Sequence, residues 1–342
     1  MEYGYGRWFL LVMIVVMGHG VLPAKASCII QDGLELPTGI RGDKVERILA
    51  GNYLRHSSHY YRWFLKRQKK EERMRGGSAL TSLGLASAYG HLGQLDKAAA
   101  TIEARIKKEP TRYSLHIAAG DYYLLSSNRS RAGAAFSRAF EMNPNGEFTK
   151  DGFSHHMLDY MSMQAARDRK KKPMVTVTER GSGYSRLGFS HFFQERGRRS
   201  GVYPAHSWKN GGREQTLNGL LNMVLCGYRR SPHVYEAIGD VLSEGKISGK
   251  GDNRELAAMA SLRASYVVGD SLWSRLEYRK LAQQMLPRKT KKSLKSLEKR
   301  FGKSIRKGTK NYKIVRILEQ KWAKKKMNLE SRYEKVFLTG KR

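Results

Sequence analysis

Apolar residues recur at three- and four-residue spacing along most of this chain, the period of one helix face. The pattern predicts helices over Asp43–Ala50 and His59–Arg75, which read as a leading pair, and again over Phe153–Ala166 and 271–286. Near the C-terminus Leu294, Leu297, Phe301 and Ile305 fall on one face, as do Ile314, Leu318 and Trp322, so 288–342 reads as amphipathic helix. Only Met174–Thr178 alternates as a strand would. The expected class is all-α.

The helical middle repeats. Tyr89, Ala98 and Pro110 recur 34 residues later as Tyr123, Ala132 and Pro144. A 34-residue period with small, aromatic and proline positions is the tetratricopeptide pattern, each unit two antiparallel helices. Ala98, Ala132 and Ala139 let helices approach, Tyr89, Tyr123 and Phe136 fill between them, and each proline ends a second helix. The units are 79–112 and 113–146, within an N-terminal block of 27–166. A degenerate unit follows in 213–287, with Pro232–Asp240 as its first helix, Ala257–Ala264 as its second, and a lengthened loop at Glu244–Asp252. The expected architecture is a TPR-like α-solenoid in which contacts run only between neighbouring helices.

The first 26 residues read as an address. Arg7 precedes an apolar run, Trp8–Met17, too short to span a bilayer, and Ala24-Lys25-Ala26 fits a signal-peptidase site, so cleavage is expected after Ala26. An exported, periplasmic or secreted protein follows. Export makes a Cys28–Cys226 disulfide possible, but Cys226 lies in an apolar helical run where cysteine packs as a small hydrophobe, and two unpaired thiols are the expectation.

Charge sharpens this picture. Lys and Arg total 64 against 30 Asp and Glu, a net charge of +34 in 342 residues. Residues 167–212 hold 7 Gly and 11 basic residues against 3 acidic, and read as a basic loop or insertion. Residues 288–342 hold 21 basic and 4 acidic residues, half of the whole excess. Such a tail suits an anionic membrane surface or an acidic envelope polymer; Lys295, Lys299, Arg300, Lys303, Arg306, Lys321, Lys324 and Lys325 would meet the anions, and Trp322 and Phe301 would anchor the helix. Export weighs against intracellular nucleic acid, leaving extracellular nucleic acid as an alternative partner.

Catalytic signatures are scarce. No His-Glu-x-x-His, Gly-x-Ser-x-Gly or Cys-x-x-Cys is present. Gly302-Lys303-Ser304 lacks the first glycine of a phosphate loop, because Leu297 stands in its place. His155, His156, Met157, Met161 and Met163 offer soft copper ligands, but Met at helical spacing is expected to pack as core. No metal or cofactor is expected. The enzymatic alternative is an envelope-polymer-modifying activity in 167–212, with His191, Glu195 and His206 as acid–base groups.

From Arg55–Trp63 through both repeats to Asn143–Phe148, and again in Arg230–Asp240 and Ala257–Tyr266, the chain resembles uncharacterised exported bacterial tetratricopeptide repeat proteins. The resemblance covers about 43–285 and implies an α-solenoid and an exported protein, with no known reaction. In that pattern the first helices line a concave groove. Position by position, the groove residues here are Leu80, Leu83, Ser87, Gly90 and His91; Ser114, Ile117, Asp121, Leu124 and Leu125; His233, Glu236, Asp240, Ser243 and Glu244. None is Lys or Arg, so the expected groove is neutral to acidic and would accept a basic helix, the protein's own tail being the nearest. The expected function is a non-catalytic scaffold for protein–protein interaction, attached to anionic surfaces through its tail.

Overall fold

A computed structural model describes residues 42–148, 152–169, 188–201, 208, 212–244, 253–269, 272–286 and 293–339. The leader, the strand-like run at 174–178 and His206 lie outside these. All regular elements among the described residues are helical. In chain order they are α1 (Gly42–Leu49), α2 (Ser58–Arg75), α3 (Ala79–His91), α4 (Leu95–Ile106), α5 (Tyr113–Leu125), α6 (Arg129–Met142), α7 (Phe153–Arg169) and α8 (Phe189–Arg199). There follow α9 (Arg213–Met223), α10 (Pro232–Ser243), α11 (Asn253–Val267), α12 (Leu272–Met285), α13 (Leu294–Lys324) and α14 (Leu329–Tyr333).

The repeat is visible in the backbone. The pairs α3/α4 and α5/α6 begin 34 residues apart, at 79 and 113, then 95 and 129. Their internal turns also match. Gly93 (φ 75°) and Ser127 (φ 64°) both take the left-handed conformation, and Gln94 N and Asn128 N donate back to Tyr89 O and Tyr123 O at 2.9 and 2.8 Å. This is the Schellman way of ending a helix, which satisfies otherwise orphaned carbonyls. Ser78 caps α3 by accepting from Thr81 N, and Asn128 caps α6 by accepting from Arg131 N. Within the second unit a Cβ on Gly120 would meet the Phe136 ring at 2.4 Å, so glycine there is what lets α5 and α6 close on Phe136. Ala132 and Ala139 are fully buried at the same seam. In the later block a Cβ on Gly239 of α10 would meet Ala257 O at 3.2 Å, marking the equivalent close approach to α11.

Packing departs from a neighbours-only array. Helix α1 sits on α11, about two hundred residues later, instead of pairing with α2. Val45, Ile48 and Leu49 supply the reason: they are buried in the main core, which the later block shares. Helix α13 lies across α2 and α11, so the first and last helices of the described residues belong to one packed body. The expected loop at 167–212 also contains structure. Helix α7 runs on to Arg169, and α8 buries Phe189 and Phe193 beside Tyr160 and Phe153. The glycines and charges of this stretch obscured an aromatic triplet, Phe189, Phe192 and Phe193, at helical spacing. Cys226 is disulfide-bonded, against the expectation of an unpaired thiol; the chain has one other cysteine, Cys28. Its run bends into a π-turn at Val224–Tyr228, with Gly227 at φ 117°, which removes it from the regular apolar face that the sequence suggested.

The crossing of α13 over the α1–α2 turn depends on Gly308. A Cβ there would lie 2.8 Å from Gly51 O and 2.9 Å from Asn52 Cα, both backbone atoms with little freedom to shift. Gly302, two turns earlier, has only the end of the Arg306 side chain near it, at 3.6 Å. Gly308→Val should therefore destabilise the protein by about 1–3 kcal/mol through overpacking. Gly302→Ala should be neutral, or stabilising by up to ~1 kcal/mol through helix propensity. Paired urea melts measure both, and equal midpoints would refute the close crossing.

Candidate functional site

Helix α13 is capped by Ser293, whose hydroxyl accepts from Ser296 N at 3.2 Å, and runs for 31 residues from Leu294. Its inward stripe is Leu297, Phe301, Gly308, Val315, Glu319 and Trp322, all buried. The upper part joins the main core. The lower part makes a second cluster in which Val315, Trp322, Leu329 and Tyr333 cover Tyr60 and Tyr61 of α2. The cation–π contact of Arg55 over Tyr312 (4.3 Å) and the Asn311–Asn52 hydrogen bond (2.9 Å) fix the register between them.

The two acids of α13, Glu298 and Glu319, and Glu330 of α14 are turned to the body or its flank, whereas Glu334, beyond the end of α14, is exposed. Both oxygens of Glu319, which is fully buried, are held at the start of α2: Oε1 faces His56 Nδ1 and Oε2 accepts from Ser57 N, each at 2.7 Å. Glu298 pairs with Arg279 of α12, and Glu330 with Arg67 of α2. Docking also draws acids of the body toward the helix: Glu46 accepts from Ser304 Oγ at 2.8 Å, and Glu255 pairs with Arg300. The outward face is left to the bases. Lys299, Lys303, Arg306, Lys310, Lys313, Lys321 and Lys324 are all exposed. At 100° per residue they fall on one side of the helix, and at 1.5 Å per residue the row is about 38 Å long. No carboxylate among the described residues is paired with any of the seven.

Against the expected tail residues, Lys295, Lys299, Lys303, Arg306, Lys321, Lys324 and Lys325 are exposed, while Arg300 is half engaged by Glu255. Trp322 and Phe301 are not surface anchors: they are 8% and 0% exposed and pack the body. The amphipathic pattern was read correctly, but its apolar side is spent on the protein itself. Sequence reasoning missed Lys310 and Lys313, and also Ile314 and Ile317, which are 45% and 50% exposed in the same row. Counting Ile314 with the apolar face concealed them; its angular offset from buried Val315 was the available signal.

The acidic positions of the expected groove are taken up by the chain itself, while Leu80 at its first position is 79% exposed. Asp121 accepts from Tyr228 Oη at 3.0 Å. Glu236 accepts from Tyr278 Oη at 3.2 Å and faces Tyr160 Oη at 3.4 Å, with His233 alongside. Asp240 is buried and accepts from Ser190 N (2.7 Å) at the start of α8; a Cβ on Gly188 would strike its carboxyl group. Glu244 accepts from the Trp208 indole at 2.9 Å. Ile117 is in the core, Leu83 and Leu125 pack against it, and the His91 ring stacks on Tyr61 at 3.7 Å, where burial pushes its pKa well below the usual range. Four acids expected to greet a basic ligand therefore serve internal donors, three of them on aromatic rings. Buried Tyr and Trp need partners for their polar tips, and these carboxylates provide them. The tail lies on α2 and α11, away from these residues.

The remaining candidates are equally engaged. Arg196 of α8 bonds Glu147 at 2.9 and 2.7 Å and also Asp159, and His155 lies 3.7 and 3.6 Å from those carboxylates. His156 donates from Nε2 to Glu147 O at 2.8 Å, and burial holds its pKa well down. Met157 is in the core, with Met161 and Met163 packed on it. Among the described residues no group of three or more His, Cys, Asp or Glu is placed to hold a metal. Glu195 bonds Arg198 and Arg199, which pull its pKa down to about 2, the opposite of the poise a general acid needs. Comparisons with family models, curated proteins and solved structures found no match.

Burial raises the pKa of Asp240 to about 6, partly offset by the Ser190 hydrogen bonds. The folded protein thus holds a proton that the unfolded chain releases near pH 4, and this contribution to stability is lost as pH rises through about 6. Asp240→Asn keeps an acceptor without the charge. Relative to wild type its melting temperature should rise between pH 4.5 and 7.5, whereas Asp240→Ala should be lower at both. A pH-independent difference for the Asn variant would mean that the carboxyl group is not desolvated.

Proposed function

We propose that this protein is a non-catalytic, exported helical scaffold of TPR-like construction that attaches to polyanionic envelope surfaces through the outward face of α13. One observation carries the reading: both acids of α13 face the body or its flank, while a row of bases about 38 Å long, paired with no carboxylate among the described residues, faces outward. A helix packed on one side and charged on the other is a rigid presentation of cations, so little side-chain and backbone order must be gained on binding. The matched turns and 34-residue offset of α3/α4 and α5/α6 support the TPR-like part. Export is supported by the leader pattern in 1–26 and by the disulfide at Cys226, a bond that persists in oxidising compartments. Protein binding through the concave groove is the weaker reading, because its acids already have donors.

Long-chain polyphosphate is a suitable soluble probe. The full-length protein should bind it, with affinity falling steeply as salt screens the charges. Lys303→Glu, Lys310→Glu and Lys321→Glu combined should weaken binding at least tenfold and flatten the salt dependence, with the melting temperature unchanged. Wild-type affinity in that triple variant would refute the reading.

A further inference from the structure

We infer that the surface taken by α13 is an anionic lipid bilayer, on which the helix lies flat with Ile314 and Ile317 inserted. This rests on the polyanion reading and narrows it to one source.

Ile314 and Ile317 are 45% and 50% exposed, two of the eight large hydrophobic residues exposed on the described surface and the two that lie within the cationic row. They are three residues apart, so their side chains stand on the same face. That face is the cationic one: Lys310 and Lys313 precede the pair, and Lys321 and Lys324 follow it. The fold makes little use of these isoleucines, since Val315, Leu318 and Trp322 supply the contacts with α2. A soluble polyanion would take the lysines and gain little from two aliphatic side chains between them. A bilayer interface takes both. Phosphate headgroups pair with the ammonium groups, the branched side chains reach the acyl boundary, and the lysine stems extend back toward the headgroups. Charge and apolar position thus agree on the same 15-residue span, 310–324. No helix among the described residues is long and apolar enough to cross a membrane, so the contact proposed is interfacial. It also explains why the helix keeps an apolar pair outside while Phe301 and Trp322, the stronger anchors, are turned inward.

Binding of the full-length protein to three probes separates the possibilities: vesicles of phosphatidylglycerol and phosphatidylcholine, vesicles of phosphatidylcholine alone, and polyphosphate. Wild type should bind the anionic vesicles and polyphosphate, and the neutral vesicles at least tenfold more weakly. The double variant Ile314→Ser with Ile317→Ser should lose about tenfold or more on anionic vesicles while its polyphosphate affinity stays within twofold and its melting temperature is unchanged. Ile317→Trp should add fluorescence that brominated anionic lipids quench. Polyphosphate binding without vesicle binding, unaltered vesicle binding by the double serine variant, or no added quenching would each overturn the inference and leave the polyanion reading standing. Failure of wild type on every probe would remove both.

Discussion

The structure turns on a carboxylate placed at a helix start. Glu319 is fully buried, and its two oxygens meet His56 Nδ1 and Ser57 N where α2 begins. A buried carboxylate without donors is costly, and removing one partner of such a set typically costs about 3–5 kcal/mol. The backbone amides at a helix N-terminus are also the place where the macrodipole favours negative charge. Once Glu319 is there, the rotation of α13 about its axis is fixed. Val315 and Trp322 must face Tyr60 and Tyr61, Gly308 must cross Gly51, and every residue on the far side must face water. The cationic row is outward because one anion is inward.

The same economy governs the rest of the molecule. Its 30 acidic residues are outnumbered two to one, and most of those that can be followed bond a specific donor. Asp240 serves the start of α8, Glu236 two tyrosines, Asp121 a third, and Glu147 and Asp159 a shared arginine. Acids hold helices together, and bases are left over. A high net charge in this chain is therefore a surface property with a stable interior beneath it.

Much of the fold was legible in the sequence because helices report themselves through period and punctuation. Tyr89, Ala98 and Pro110 returning 34 residues later located four helices and their turns. What could not be read was contact between remote segments. Nothing in Val45, Ile48 and Leu49 names α11 as their partner, and nothing in Tyr228 names Asp121. Motif positions assigned a groove, but the motif is silent about chain that follows it, and α7, α8 and the π-turn after α9 return to supply donors to those acids. For the candidate site, composition identified the right helix and periodicity gave two faces. Which face is free depends on the opposite wall, and that wall is built from residues more than 250 positions away.

His56 and Glu319 are 263 residues apart, and α1 waits nearly as long for α11. At about 5–20 residues per second of synthesis, this separation corresponds to roughly 13–50 s during which the side of α2 that meets α13 has no cover. The faces of Tyr60 and Tyr61 that Val315, Trp322 and Tyr333 cover would spend that interval exposed, with only α3 packed on the other side. Repeat arrays ordinarily gain stability unit by unit as they emerge. Here residues 312–333 complete a surface laid down at 56–61, so a chain released short of α13 would carry an open aromatic patch on α2.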